Sequence, residues 1–195
     1  MLCDPTMMPR PQELDAEVPV IEAIRAGDPY AFREFVNRHH RWVRGVIFAV
    51  LGKRDRLDDV AQQVWAGAWQ RIGELREPQA WRPWLYRLAR NAAIDAGREA
   101  SRRRRRTQAL AEEPTPPPAA TIPDRAASSV EEREAVRRAI AGLPALYREP
   151  FVLRHLSGWS YQQIADVLDM PVDSVETRLV RARRLLRESL AGEPG

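Results

Sequence analysis

Residues Ser160–Arg187 read SYQQIADVLDMPVDSVETRLVRARRLLR, the pattern of a short helix, a tight turn and a second helix with arginines along one side. In the first helix Tyr161, Ile164, Ala165 and Leu168 recur at i, i+3, i+4 and i+7, the spacing of one buried stripe. Ser160 followed by Gln163, and Asp173 followed by Glu176, match the capping box, in which two side chains satisfy backbone N–H groups that a helix start leaves unbonded. The second helix then buries Val175, Leu179, Ala182 and Leu186. At about 100° per residue, Ser174, Thr177, Arg178, Arg181 and Arg184 share the opposite arc. Between Ser174 and Arg187 five arginines face one glutamate, a local net charge of +4. A solvated amphipathic helix would account for the arginines alone. Two capped helices at this separation predict a helix-turn-helix, whose second helix enters a major groove where arginine makes bidentate contacts to guanine.

Outward from there, the composition bounds the class. The chain has 195 residues, 31 basic against 27 acidic, and a net charge of +4, so the placement of charge matters more than its total. The single cysteine, Cys3, excludes an intrachain disulfide and a cysteine-built zinc cluster. No apolar run approaches the roughly 18 residues of a membrane span, and the start lacks the order of a signal peptide. A cytoplasmic protein without membrane insertion is expected. Residues 1–17 read as a flexible leader.

Between Thr107 and Val130 the composition turns to Pro, Ala, Ser and Thr, and Pro114, Pro116, Pro117, Pro118 and Pro123 forbid a continuous helix. Residues 107–129 are therefore expected to be a flexible linker between a helical block at 18–106 and the helix-turn-helix block at 130–192. Extended at about 3.1 Å per residue, such a linker spans roughly 75 Å at most. The fold class is all-α, in two small helical domains.

Three segments of the first block carry its chemistry. Asp28 and Pro29 mark the start of a helix in which Phe32, Phe35, Val36 and Val43 share a face. His39 and His40 point about 100° apart and no further ligand lies near them in the sequence, so surface or boundary positions are expected rather than a metal site. In LDDVAQQVWAGAWQRI, Leu57, Val60, Ala61, Val64, Ala68 and Ile72 lie on one side. Asp59, Gln62, Gln63, Ala66 and Gln70 lie on the other. An ordinary solvent face is rich in Lys and Glu, whereas amides with few charges suit a surface that another protein covers. In WRPWLYRLARNAAIDAGREASRRRRR, Leu85, Leu88, Ala89, Ala92 and Ala96 form the expected packed stripe. Arg87, Arg90, Asn91, Ile94 and Arg98 form a second basic surface, with Tyr86 at its edge. Trp81, Trp84 and Tyr86 offer faces on which an unpaired base stacks, or else they are core. The run Arg102–Arg106 is a solvated helix end or a phosphate-binding one.

Together, LDDVAQQVWAGAW, WLYRLARNAAID, LPALYREPFVLRHLSGWSYQQIADVLDMP and SVETRLVRARRLLR resemble, in order, the bacterial RNA polymerase sigma factors of the extracytoplasmic-function group. The resemblance covers roughly Ala31 to Arg106 and Val130 to Leu190. It implies that the face with Asp59, Gln62, Gln63 and Ala66 docks on core RNA polymerase, at the coiled coil of its largest subunit. It implies that Trp84, Arg87, Arg90 and Asn91, with Arg98, take the minus-ten element as one strand, and that Glu74 and Arg76 belong to a loop that embraces a flipped base. Ser174, Thr177, Arg178, Arg181 and Arg184 would read the minus-thirty-five element as duplex. Promoter DNA, duplex and single-stranded, and core polymerase are the partners so implied; an anti-sigma protein is a further partner that the resemblance allows. Two positions depart from the pattern: Asp169 stands where the turn usually has Gly, and Glu176 where the recognition helix usually has a basic residue, for which a capping role is expected.

An independent helix-turn-helix regulator is the alternative reading, and it leaves the Asp59/Gln62 and Arg90/Asn91 surfaces without a purpose. An enzyme is not expected. There is no Gly-rich phosphate loop, no metal-spaced His or Cys set and no nucleophile beside a base, and neither cofactor nor metal is expected.

Overall fold

The computed structural model of the chain describes the backbone of residues 11–110 and 128–191 and the side chains of 16–107 and 134–191. Eight α-helices lie within the described residues: α1 (Pro11–Arg25), α2 (Pro29–Leu51), α3 (Leu57–Arg71), α4 (Trp81–Leu110), α5 (Ser128–Gly142), α6 (Ala145–His155), α7 (Tyr161–Leu168) and α8 (Val172–Ala191), with two 3₁₀ turns, Ile72–Glu74 and Pro78–Ala80, between α3 and α4.

Local chemistry sets most of these boundaries. The Asp28 carboxylate accepts from the backbone N–H groups of Tyr30 and Ala31, and Pro29 occupies the first turn, so α2 starts where its sequence says. Ser160 and Gln163 form the expected reciprocal capping box at the start of α7. Asp169 ends that helix in the left-handed region, φ 53°, with its N–H on the Ala165 carbonyl. It is the one positive-φ residue other than glycine among the described residues. Asp tolerates this conformation better than most L-residues, which is how the turn forms without the expected glycine.

Three sequence expectations are corrected. Ordered chain begins before residue 18, since α1 starts at Pro11, places Ile21 and Ile24 in the core and buries Glu17. The 107–129 linker shrinks from both sides, since α4 runs to Leu110 and α5 begins at Ser128; Pro114, Pro116, Pro117, Pro118 and Pro123 lie outside the described residues. Asp173 does not cap α8. The helix starts at Val172, and the Pro171 carbonyl accepts the N–H groups of Ser174 and Val175, which leaves Asp173 in the first turn, where its charge meets the positive end of the helix dipole. Glu176 is exposed one residue beyond the first turn.

The first block packs α1, α2, α3 and α4 around Phe35, Val43, Ile47, Val60, Val64 and Leu85. The stripe foreseen on α3 is buried throughout. On α4 the buried line is Leu85, Tyr86, Ala89, Ala93 and Ala96, rotated from the expected one so that Leu88 and Ala92 are only partly covered and Tyr86 is fully enclosed. In the second block α6, α7 and α8 bury Val175, Leu179, Ala182 and Leu186, as the periodicity predicts. The blocks are not held apart. One hydrophobic cluster runs from the first block through Leu153, Trp159, Ile164, Ala165, Val175 and Leu179 of the second.

Glu17 ties α1 to α2. Its Oε1 accepts from Arg38 Nη1 at 2.8 Å and lies 3.2 Å from Nε2 of His39, whose ring is wedged between Phe35 and Trp81 with centroids 4.5 and 4.6 Å away. His39 is thus a boundary residue. Burial pushes the Glu17 carboxyl pKa up, but the hydrogen bond and charge of His39 and the charge of Arg38 outweigh it and hold the value below the ordinary 4.5. A depressed carboxylate contributes stability above its unfolded pKa and loses it as pH falls through the folded value. Glu17→Gln is therefore expected to cost about 1.5–3 kcal/mol at neutral pH. The gap to the unmutated chain should close as pH falls below 4.5, read by thermal melts across that range. A pH-independent gap would contradict the ion-pair account.

Candidate nucleic-acid interface

Three exposed surfaces gather the candidate residues. The first is on α3, where Asp59, Gln62, Gln63 and Ala66 are all exposed on one side while Leu57, Val60, Ala61, Val64 and Ala68 are buried on the other. Trp69 extends this face at 39% exposure, held against Phe32 with ring centroids 5.0 Å apart. It sits three residues beyond Ala66 on the same face, and the 3.6 period alone marks it as a member. A flat patch of amides with one aromatic side chain has hydrogen-bonding capacity and little charge to desolvate, the composition of a surface that a protein covers.

The second surface is the outer side of α4 with the turns before it. Glu74, at the end of the first 3₁₀ turn, and Arg76, between the two turns, are exposed, Arg87, Asn91 and Arg98 are exposed on the helix, and Trp84 is half-buried. Trp81 and Tyr86 are core, 3% and 1% exposed, so neither offers a stacking face and Trp84 is the aromatic left for that role. Arg90 is half-buried and paired, its Nε 3.2 Å from Oε2 of Glu149 on α6. Burial pulls the Arg90 pKa down, and the adjacent Glu149 carboxylate more than restores it. Burial first, and the Glu149 charge second, push the Tyr86 phenol pKa far up, so the ring is neutral beside the pair. Past Arg98, which lies 3.5 Å from Asp95, the exposed run Arg102–Arg106 continues the helix. With Lys53 of the α2–α3 loop, Arg98, Arg102, Arg104 and Arg105 rim a groove of about 790 Å³ floored by Leu51 and Ile94.

The third surface is the outer face of α8. Thr177, Arg181 and Arg184 are exposed, and Ser174 and Arg178 half-buried. The Thr177 hydroxyl donates to the Asp173 carbonyl at 2.9 Å, which leaves its lone pairs outward. Arg184 lies 3.3 Å from Glu188 in an exposed pair that a phosphate can replace at little cost. Guanidinium groups one helical turn apart on a rigid helix suit base edges and flanking phosphates in a major groove.

Sequence reasoning missed the residues that join the blocks: Arg148, Glu149, Ser157 and Trp159. Only Trp159, an aromatic next to a capping serine, gave a local signal. The others act through tertiary contacts that no periodicity encodes. No group of three or more His, Cys, Asp or Glu among the described residues could hold a metal ion. No described helix is long and apolar enough to cross a membrane.

Comparison with known proteins places these surfaces in a family context. The profile described as Sigma-70 region 2 matches residues 35–106, which carry the first two surfaces, and that described as Sigma-70, region 4 matches residues 133–186, which carry the third. The chain is 30% identical over 185 residues to the RNA polymerase sigma-H factor of Pseudomonas aeruginosa, covering 92% of this chain and 95% of that protein. It is 31% identical over 173 residues to the ECF RNA polymerase sigma-E factor of Escherichia coli K12, covering 86% and 90%. Among solved structures, CnrH in complex with the cytosolic domain of CnrY is similar at a TM-score of 0.66 and 25% identity, over 92% of this chain and 100% of that one. The fold is also that of RpoE from Bartonella quintana, solved with the anti-sigma factor NepR, at a TM-score of 0.64 and 21% identity over 84% and 98%.

Proposed function

The chain belongs to the sigma-70 family, in its extracytoplasmic-function group, and on that footing we propose how its three surfaces divide promoter recognition. The protein is a transcription initiation factor that works with core RNA polymerase on promoter DNA. The amide face of α3, with Asp59, Gln62, Gln63, Ala66 and Trp69, docks on polymerase. The α4 surface captures the minus-ten strand: Arg87, Arg90 and Arg98 hold phosphates, Asn91 offers a donor and an acceptor to a base edge, Trp84 offers a stacking face, and Glu74 and Arg76 line the turn that receives an extruded base. The α8 face reads the minus-thirty-five duplex through Arg178, Arg181, Ser174 and Thr177, with Arg184 on the flanking phosphate.

The physical logic favours sequences that melt easily. Unstacking costs a few kcal/mol per step, and a captured base recovers about 1–3 kcal/mol by stacking on an aromatic side chain. Bond formation belongs to polymerase, so the chain needs neither metal nor cofactor. Work on polymerase, with no described helix able to span a bilayer, fits a cytoplasmic protein. The two similar solved structures hold CnrY and NepR, which supports an anti-sigma partner here.

The observation that carries the docking assignment is the exposed, weakly charged amide patch of α3. Asp59→Ala with Gln62→Ala is expected to weaken association with core polymerase by about 1–3 kcal/mol, roughly 5- to 150-fold, because each removes a hydrogen-bonding group from the patch. Neither change touches the core, so thermal stability should be unaffected. Unchanged binding, measured by titration of labelled protein with sigma-free polymerase, would remove the assignment.

A further inference from the structure

The outer face of α8 is wider than its arginine arc, and two of its side chains have nothing to offer a phosphate. At about 100° per residue, Thr177 lies nearly opposite the buried line Val175, Leu179, Ala182 and Leu186. Glu176 and Arg178 flank Thr177 at equal angles, one on each side. Arg178 is half-buried and Glu176 exposed, so a groove that admits the arginine meets the carboxylate as well. One helical turn on from Glu176, on the same flank, Val180 is 57% exposed. Glu176 has no hydrogen-bonding or ionic partner among the described residues. It caps nothing either, since α8 begins four residues before it, at Val172.

Thr177, Arg181 and Arg184 can each bind a phosphate or a base edge. A carboxylate repels phosphate, and an isopropyl group gains nothing from it. On a DNA-facing surface both gain only from bases. A carboxylate accepts from the N4 amino group of cytosine, and an apolar side chain packs on the methyl group of thymine. Guanine and thymine present acceptors to the major groove, and adenine places the N7 acceptor beside its amino group, so all three oppose a carboxylate more than cytosine does.

We propose that Glu176 and Val180 are specificity-determining residues of the minus-thirty-five reading: Glu176 selects a cytosine through its amino group, and Val180 selects a neighbouring thymine through its methyl group. Four residues of helix advance about 6 Å and base pairs stack about 3.4 Å apart, which puts the thymine one or two steps from the cytosine. The carboxylate acts mainly by exclusion. Wherever no amino group lies opposite, it is desolvated without a partner and that site is weakened. The arginines supply the grip, and this flank supplies the choice. The inference rests on the duplex reading of α8.

The test uses the full chain with sigma-free polymerase and a library of duplexes randomised across the upstream element. The unmutated chain should enrich one cytosine with a thymine one or two steps from it. Glu176→Ala should lower the discrimination for that cytosine at least about fivefold, the lower end for one specific base contact, and tighten binding to duplexes with another base there. Glu22→Ala removes an equal charge at an exposed site on α1 and should do neither. Deoxyuracil in place of the thymine removes the methyl group alone. It should weaken binding of the unmutated chain about threefold, as loss of one buried methyl does, and leave Val180→Ala no weaker. Glu176 and Val180 are both exposed, so neither substitution disturbs the core.

A selected element without the cytosine, or a Glu176→Ala chain that changes affinity equally on all sequences, overturns the role of Glu176. An element without the thymine, or a uracil penalty as large in Val180→Ala as in the unmutated chain, overturns that of Val180. Arg181→Ala is scored beside them. If it too leaves duplex selection unchanged, the duplex reading of α8 fails; if it alone weakens binding, only this inference fails.

Discussion

Arg148→Ala is expected to lower the unfolding free energy by about 3–5 kcal/mol. The guanidinium is 6% exposed by residue and donates four hydrogen bonds to backbone carbonyls of two blocks. Burial lowers its pKa from the usual guanidinium range, and Glu149 opposes this, but the group stays charged at any physiological pH. Removal leaves four carbonyls at helix ends without partners, two of them inside the seam. Arg148→Met separates packing from charge, because it keeps much of the apolar stem and none of the donors. If the hydrogen bonds carry the effect, methionine should recover less than half of the loss. For a chain of this size the alanine variant should melt roughly 6–20 °C lower, at about 2–4 °C per kcal/mol. An alanine variant within a degree of the unmutated chain would show that water replaces these four hydrogen bonds at no cost.

Arg178→Ala and Arg181→Ala are each expected to cost about 1–3 kcal/mol on duplex DNA carrying the upstream element and nothing on downstream single strand. The two side chains lie on α8 three residues apart, Arg178 half-buried and Arg181 exposed. The buried line Val175, Leu179, Ala182 and Leu186 holds the helix against α5, α6 and α7, so the guanidinium groups are presented on a rigid rod. Their loss should also flatten the salt dependence by about one unit of slope for each phosphate contact removed. If the loss is equal on specific and nonspecific duplex, the arginines grip phosphate and do not read bases. Electrophoretic or anisotropy titrations at two salt concentrations separate these outcomes.

Much of the fold was legible because its signals are local. The Ser160/Gln163 capping box, the Asp28–Pro29 start, the α3 stripe and the α8 stripe all depend on spacings of three, four and seven residues, which the structure keeps. The same locality exposed the α3 amide patch and the α8 arginine arc. Failures occurred where burial is decided by more than one neighbour. On α4 the packed line is rotated towards Tyr86 and Ala93 because the helix is covered on one side by α2 and α3 and on the other by Trp159 and the Arg90–Glu149 pair. Asp173 matches a capping box by sequence, yet the helix starts at Val172, two residues too early for it, with the Pro171 carbonyl taking the first hydrogen bonds. The Glu17–Arg38–His39 cluster joins groups about twenty positions apart, and the Arg148 contacts to α2 span 99 and 98. No short-range pattern records such pairings.

The proline-rich stretch shows the same limit from another side. Its composition marks a break between two helical blocks, and the structure has helices on both sides of residues 111–127. Composition alone lets the blocks reach separated sites on one duplex and leaves their arrangement in the free chain open. The seam of Trp42, Trp159, Arg82 and Arg148 instead brings them together, and a tether long enough for separation is equally long enough for closure, since doubling a loop costs only about 0.6 kcal/mol.

The central claim is that this chain rides on RNA polymerase and directs it to promoters. It is tested most directly by adding the purified protein to sigma-free core polymerase on genomic DNA and mapping the 5′ ends of the transcripts. The account predicts discrete start sites that share two sequence elements upstream and that vanish with Asp59→Ala/Gln62→Ala. A chain that binds no polymerase, or transcripts that start with the same distribution whether or not it is added, would contradict it.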